Sequence, residues 1–233
     1  MADARVVLCA MPKSGSSYLT RYLYTGLGID HDAPPRPAGG FPADWLPGSY
    51  AHEILSRRAF VWQVHVHPTR ANLRALVHGG GLDRVVVHLR DPRQATLSWA
   101  HHALRLRVRA YGQSDAFYAS PFEDQLESAL QLHFPILCDW IAQWRDVARH
   151  QDTGLRVLVT DFDELRQDAA ALGRRICDFY GAEFDPEGAA GIPLGDFYRK
   201  GESDEWRGVF TPGQATRCWG EMQSRGLGEV WAQ

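Results

Sequence analysis

Cysteine is scarce. The 233 residues hold four, Cys9, Cys138, Cys177 and Cys218, and no two are close in sequence. That spacing excludes a CxxC zinc or redox pair. Long hydrophobic runs are missing too, so no membrane span is expected. The short apolar stretch after Arg5 ends in Pro12-Lys13 without a small-residue cleavage site. It reads as a first strand and not as a signal peptide, which makes the expected location cytoplasmic. Neither sign of charge dominates: 25 Lys+Arg stand against 28 Asp+Glu, a formal net charge of -3. Without a global basic field a non-specific nucleic-acid coat is excluded, and no nucleic-acid partner is expected. Repeats and low-complexity tracts are absent. What is present, 45% hydrophobic and 23% charged residues, is the composition of a folded domain. The length suits one α/β domain over 1–233 with a core that needs no staples.

Strand-like and helix-like segments alternate. Arg5–Ala10 (RVVLCA) is a β-rich run bounded by Pro12 and Gly15, and Ser16–Leu27 carries Leu19, Tyr22, Leu23 and Leu27 at helical spacing. Residues 30–50 hold five Pro and three Gly among Phe41, Trp45 and Tyr50, and read as a loop that covers a site. Ala59–Val66 predicts a second strand and Thr69–Val77 a helix ended by Gly79-Gly80-Gly81. Arg84–Leu89 (RVVVHL) is a nearly continuous apolar strand, and Asp91-Pro92 opens a helix to about Arg109 with Leu97, Ala100, Leu104 and Val108 on one stripe. Phe122–His150 is mostly helical with a kink or break at Pro135. Leu155–Thr160 is a fourth strand, Ala169–Tyr180 a helix stopped by Gly181, and residues 186–211 an irregular functional loop. The alternation predicts an α/β fold: a three-layer parallel sheet flanked by helices.

Three stretches carry chemistry. Pro12-Lys13-Ser14-Gly15-Ser16-Ser17-Tyr18 joins the first strand to the first helix. A turn there aims backbone N–H groups and a helix N-terminus at one point, which favours an anion such as a phosphate. It is not a Walker A loop, because GxxxxGK[ST] is absent and the Lys precedes the Gly. The second stretch is Arg90-Asp91-Pro92-Arg93 with Ser98 eight residues after Arg90. Arg90 ends the third strand, where ligands bind in open α/β sheets, and an Arg fork beside a hydroxyl suits a terminal phosphate. The third is Arg199-Lys200-Gly201, followed by Trp206 and Phe210-Thr211. Two adjacent cations and a glycine can wrap a phosphate, although a lone Arg-Lys-Gly reads equally as a solvated loop.

In order and internal spacing the three resemble the sulfotransferases that use 3′-phosphoadenosine 5′-phosphosulfate (PAPS) and release adenosine 3′,5′-bisphosphate (PAP). PKSGSSY is similar to that family's PKSGTTW, RDPRQATLS to its Arg-to-Ser 3′-phosphate stretch, and RKGESDEWRGVFT to its RKGxxxDWKxxFT loop. The resemblance covers nearly the whole chain and implies a P-loop-nucleotide-hydrolase-like sulfotransferase fold. It implies that Lys13 bonds the oxygen bridging sulfur and the 5′-phosphate, and that Ser14, Gly15, Ser16 and Ser17 hold that phosphate. Tyr18 stands where the family often places an adenine-facing Trp. Arg90, Ser98, Arg199, Lys200 and Gly201 would hold the 3′-phosphate.

The family's small-molecule enzymes place a base His after the second strand, in Lys-Thr-His-Leu-Pro. Here the stretch is Gln63-Val64-His65-Val66-His67-Pro68, so His65 takes that place and Gln63 replaces the Lys. His67 lies two residues on and is expected on the same face, since strand side chains alternate, so both are candidate bases, His65 the preferred one. The catalytic set implied is His65, Lys13 and Ser98, transferring a sulfuryl group to a hydroxyl of a small molecule. No metal is implied: His101 and His102 are adjacent on a helix and diverge by about 100°, so they cannot chelate together. His101 is expected to border the nucleotide or acceptor pocket. Phe41, Trp45 and Tyr50 of the cover loop, with Trp99, Tyr111, Phe117 and Tyr118, are candidates for an apolar acceptor pocket and read equally as ordinary core and loop aromatics. Two departures stand out. Phe162 replaces a Tyr that relatives carry, and Pro212 with Thr216 breaks the dimer motif of animal members, which leaves oligomeric state open. A P-loop-type nucleotide kinase and a non-catalytic nucleotide-binding module of the same fold are the competing readings.

Overall fold

A computed structural model describes residues 4–29, 45–106, 114–150, 153–193 and 198–231. Strands β1 (Arg5–Ala10), β2 (Phe60–Val64), β3 (Arg84–Leu89) and β4 (Arg156–Asp161) form one parallel sheet in the order β2-β1-β3-β4. Helices in chain order are α1 (Ser16–Gly26), α2 (Gly48–Leu55), α3 (Arg70–Arg74, continued by a π turn over Ala75–Gly79), α4 (Pro92–Leu106), α5 (Asp115–Ala119) and α6 (Phe122–Arg149). They are followed by α7 (Phe162–Gln167), α8 (Ala169–Tyr180), α9 (Trp206–Val209) and α10 (Pro212–Gln223).

Period-2 alternation sorts the strand side chains into two cores. Val6, Leu8 and Ala10 of β1, with Val61 and Val86, pack beneath Leu19 and Leu23 of α1 and Leu172 and Ile176 of α8. Val7 and Cys9, with Phe60, Trp62, Val64, Val85 and Val87, pack against Phe134, Trp140 and Trp144 of α6. Strands buried on both faces explain the unbroken apolar runs that mark parallel strands. The three-layer α/β prediction therefore holds.

The chain leaves β1 for β2 on one side and returns to β3 on the other. The loops after β1 and β3 thus diverge at the carboxyl end of the sheet, the topological switch point where such sheets bind ligands. Lys13 and Arg90 follow those two strands.

Several sequence expectations need correction. The loop read over 30–50 gives way to α2 at Gly48, and Tyr50 packs edge-on to Trp62 with ring centroids 6.1 Å apart. It serves the core and not a cover; residues 30–44, with Phe41, lie outside the described residues. The second strand stops at Val64, so His65 and His67 lie beyond it and strand alternation does not place them on one face. Helix α6 runs unbroken through Pro135, with Phe134, Leu137, Trp140, Ile141 and Trp144 buried around it. That burial outweighs the hydrogen bond a mid-helix proline forfeits. The loop read over 186–211 contains α9, and α10 was missed although Thr211 and Gln214 form a capping box with Pro212 at the first position. Residues 107–109 of the helix read after Asp91, and with them Val108, lie outside the described residues, as does Tyr111.

Candidate functional site

Between β1 and α1 the backbone turns sharply. Lys13 sits at φ 66° and Gly15 at φ 80°, both in the left-handed region. Gly15 is required twice over: a Cβ there would also meet the Phe162 ring at 2.9 Å. Gly15 O accepts from the Tyr18 and Leu19 amides, but among the described residues nothing accepts from the amides of Gly15, Ser16 or Ser17. No acidic residue occupies the first turn of α1. The Ser14 Oγ is buried without a hydrogen-bond partner. Donors gathered at a helix N-terminus with no internal acceptor fit a phosphate group. The loop is pinned from below. His88 on β3 is fully buried, its Nε2 donates to Ser14 O at 3.0 Å, and its Nδ1 accepts from Thr160 Oγ1 at 2.8 Å. Burial pushes its pKa down to about 4, so the ring is a neutral strut.

The second motif meets the first here. Arg90 is 7% exposed and donates from Nη1 to Lys13 O at 2.7 Å and from Nη2 to Glu202 O. Its guanidinium lies 3.8 Å above the Phe162 ring centroid. Burial, then the positive charge of Arg199, lowers its pKa to about 10, so it remains a cation at neutral pH. Its Nε and that of Arg199 are buried and have no hydrogen-bond partner. A buried cation held chiefly by carbonyls invites an anion. Ser98 is buried in the second turn of α4.

The third motif is docked on both. Arg199 and Lys200 both pair with Glu205, Lys200 at 2.8 Å, which holds the Glu205 carboxyl down at about 2, hydrogen bonding from Arg199 being the largest cause. Gln94 of α4 accepts from the Trp206 amide at 3.1 Å and donates to Glu205 at 3.3 Å. The Arg93 guanidinium, held by Asp91 at 2.7 Å, lies 4.0 Å over the Trp206 ring. On the other side Ser203 bonds Asp163 and Arg166 of α7. Gly201, at φ 69°, turns the chain against the Tyr198 ring. The three motifs, about 75 to 110 residues apart, converge at one end of the sheet. His101 joins them: burial first, and then Arg199, lower its pKa.

His65 follows β2 at the same end. Its Nδ1 donates to Ala10 O at 2.6 Å, and Gln63 Nε2 lies 3.1 Å from its Nε2. Behind it, Val66 O accepts from the indole N–H groups of Trp140 and Trp144 at 2.7 and 2.9 Å. Tyr18 stacks on Tyr22 at 5.9 Å, and Tyr22 is buried against Phe184. Trp99 and Phe117 line one cavity with Ala103, Gln125, Leu132 and His133; Tyr118 is not in its wall.

Sequence reasoning passed over His88, whose signal was one polar residue inside an apolar strand, and Gln94, a helix residue that reads as surface. It also passed over Glu205, although that residue stands where the loop motif carries an acid before its Trp. The chain has only two lysines, Lys13 and Lys200, and both stand in these motifs.

No protein-family model matches the sequence, and no curated protein matches it. Solved structures do match. A mouse sulfotransferase, SULT7A1, complexed with PAP superposes with a TM-score of 0.66 at 14% identity, covering 99% of this chain and 87% of that one. Retinol dehydratase in complex with androsterone and inactive cofactor PAP gives 0.59 at 15%, covering 97% and 81%. A sulfotransferase from Alicyclobacillus acidocaldarius gives 0.54 at 16%, covering 97% and 96%. No helix among the described residues is long and apolar enough to cross a membrane. The chain has the sulfotransferase fold.

Proposed function

We propose that the chain is a PAPS-dependent sulfotransferase acting on a hydroxyl of a small molecule, within one domain spanning 1–233. One observation carries this reading: Arg90 and Arg199, each with a buried Nε lacking a partner, stand beside a phosphate loop whose amides and Ser14 hydroxyl also lack acceptors. Two phosphate sites on one ligand match a nucleotide phosphorylated at both the 3′ and 5′ positions. The structural neighbours named with PAP support the same donor, and the androsterone complex supports a small apolar acceptor.

The donor supplies an activated sulfuryl group on its 5′-phosphate. Ser14, Gly15, Ser16 and Ser17 orient that phosphate through amides and hydroxyls, and Lys13 offsets charge growing on the bridging oxygen as the bond to sulfur breaks. Tyr18 flanks the base. Arg90, Ser98, Arg199, Lys200 and Gly201 hold the 3′-phosphate and select this donor over ATP. His65 Nε2 accepts the proton of the acceptor hydroxyl as its oxygen bonds to sulfur. Its Nδ1–H bond to Ala10 O leaves Nε2 as the lone-pair nitrogen of the neutral ring.

Thermal stabilisation tests the reading, because a ligand that binds only the native state raises the melting temperature. PAP is expected to raise it without Mg²⁺, and AMP, ADP and ATP far less. A shift with ATP and Mg²⁺ alone would replace this reading with a kinase. A PAP shift with no transfer to any hydroxyl acceptor would leave a binding module.

A further inference from the structure

Gln63 stands two residues before His65 on β2, and its side chain bridges that ring to α1. Thr20 Oγ1 donates to Gln63 Oε1 at 3.0 Å, and Gln63 Nε2 lies 3.1 Å from His65 Nε2. Ala10 O, 2.6 Å from His65 Nδ1, can only accept. The neutral ring therefore carries its proton on Nδ1, and Gln63 donates to the lone pair of Nε2. Thr20 is buried on α1, while Gln63 and His65 are half-buried.

This chain of bonds has a second arrangement. When His65 takes a proton, both ring nitrogens become donors, and an amide N–H facing Nε2–H is repulsive. Rotating the Gln63 amide by half a turn presents Oε1 to Nε2–H and turns the NH₂ toward Thr20 Oγ1. A hydroxyl both donates and accepts, so Thr20 satisfies either orientation. The Gln63 amide is paired at both ends in either state, so the switch leaves neither of its polar groups unsatisfied.

We propose that Gln63 is the positioning residue of the proposed base: it keeps Nε2 of neutral His65 free of a proton and, by reversing its amide, accepts from the imidazolium after transfer. The inference rests on His65 being the base. In the resting protein the Gln63 N–H holds the place at Nε2 that an acceptor O–H takes during reaction. After the acceptor proton has moved to Nε2 and the new O–S bond has formed, the reversed amide holds that proton until solvent removes it. Lys13 and His67, titratable side chains on turns after β1 and β2, are unchanged in the variants below.

The test uses the full chain with Gln63→Leu, Gln63→Glu and His65→Ala. Ring-nitrogen NMR reports the His65 tautomer and titration independently of turnover. Wild type is expected to show the Nδ1–H neutral ring. Gln63→Glu, whose carboxylate accepts only from the charged ring, should raise the His65 titration midpoint by one pH unit or more and carry the acid limb of kcat with it. Gln63→Leu should cut kcat about tenfold with PAP affinity unchanged. If both Gln63 variants leave the His65 titration and kcat at wild-type values, Gln63 does not position the ring. If His65→Ala retains full turnover while Gln63→Glu still moves the titration, the pairing stands and His65 is not the base.

Discussion

The guanidinium of Arg90 lies over the ring of Phe162, 3.8 Å from its centroid. The same ring edge closes on Gly15 of the phosphate loop. One side chain, at the start of α7, thus contacts both the Arg90 guanidinium and the turn at Gly15. Phe162 stands where the resemblance places a Tyr, and it meets Arg90 with its aromatic face. Desolvated cation–π contacts contribute on the order of 1–2 kcal/mol. Phe162→Leu is expected to weaken PAP binding several-fold and lower the unfolding free energy by about 1–3 kcal/mol. Titration calorimetry and urea unfolding check the two effects. Arg90→Ala should weaken PAP by roughly 100-fold while hardly changing 5′-AMP. Equal losses for both nucleotides would remove Arg90 from the 3′-phosphate.

Gly15→Ala should be costly. The position combines a φ of 80° with a 2.9 Å approach to Phe162. Left-handed strain costs about 1–2 kcal/mol for a residue with a Cβ, and the crowding adds to it. The expected result is a lower melting temperature and loss of the PAP-induced shift. Gly28→Ala, also at positive φ but with open space around it, should lower stability by the strain alone and preserve PAP binding.

Lys13→Ala keeps the Cβ, so it leaves the backbone strain at φ 66° as it is and removes the ammonium with the methylenes that carry it. If Lys13 acts on charge that grows in the transition state, kcat falls about 100-fold or more, and the PAP dissociation constant changes much less. Single-turnover kinetics beside calorimetry separates the two. Equal losses would make Lys13 a ground-state ligand.

Acid should loosen the loop through His88. Its pKa is about 4 in the folded chain and ordinarily near 6.5. Between those values the unfolded chain binds more protons, so stability falls as pH drops through that window and is fully present above it. The slope is on the order of 1 kcal/mol per pH unit. His133, buried and depressed to about 3, adds a slope of the same sign. Urea unfolding at pH 7, 6 and 5 should show the loss in wild type. His88→Gln, which keeps a donor and an acceptor but does not titrate, should flatten the slope without abolishing it. An unchanged slope would contradict the neutral strut.

The α/β class, the strands and most long helices were legible because local periodicity carried them: RVVLCA and RVVVHL alternate between two cores as buried parallel strands must. The turn at Gly15, Arg90 and the Arg199 loop stood out as motifs because each is continuous in sequence, and the structure brings them to one end of the sheet. Other features resisted for physical reasons. Pro135 reads as a helix breaker, yet the aromatic packing around α6 overrides it. α2 starts inside a Pro- and Gly-rich stretch, and its Tyr50 is held by Trp62 from a different strand. The second strand ends before His65, so counting alternation could not orient either His.

By itself, then, the sequence determined which residues could bear phosphate chemistry and on which kinds of element they stand, since both follow from local spacing. Only the tertiary structure decided that these residues meet. Strand order β2-β1-β3-β4 makes the loops after β1 and β3 diverge, and Gln94 and Arg90 tie the third motif to the first two through Trp206, Glu205 and Glu202. The tautomer of His65 was decided there as well, by a carbonyl of β1 and an amide of β2. Contacts between groups distant along the chain depend on packing, which no local pattern encodes.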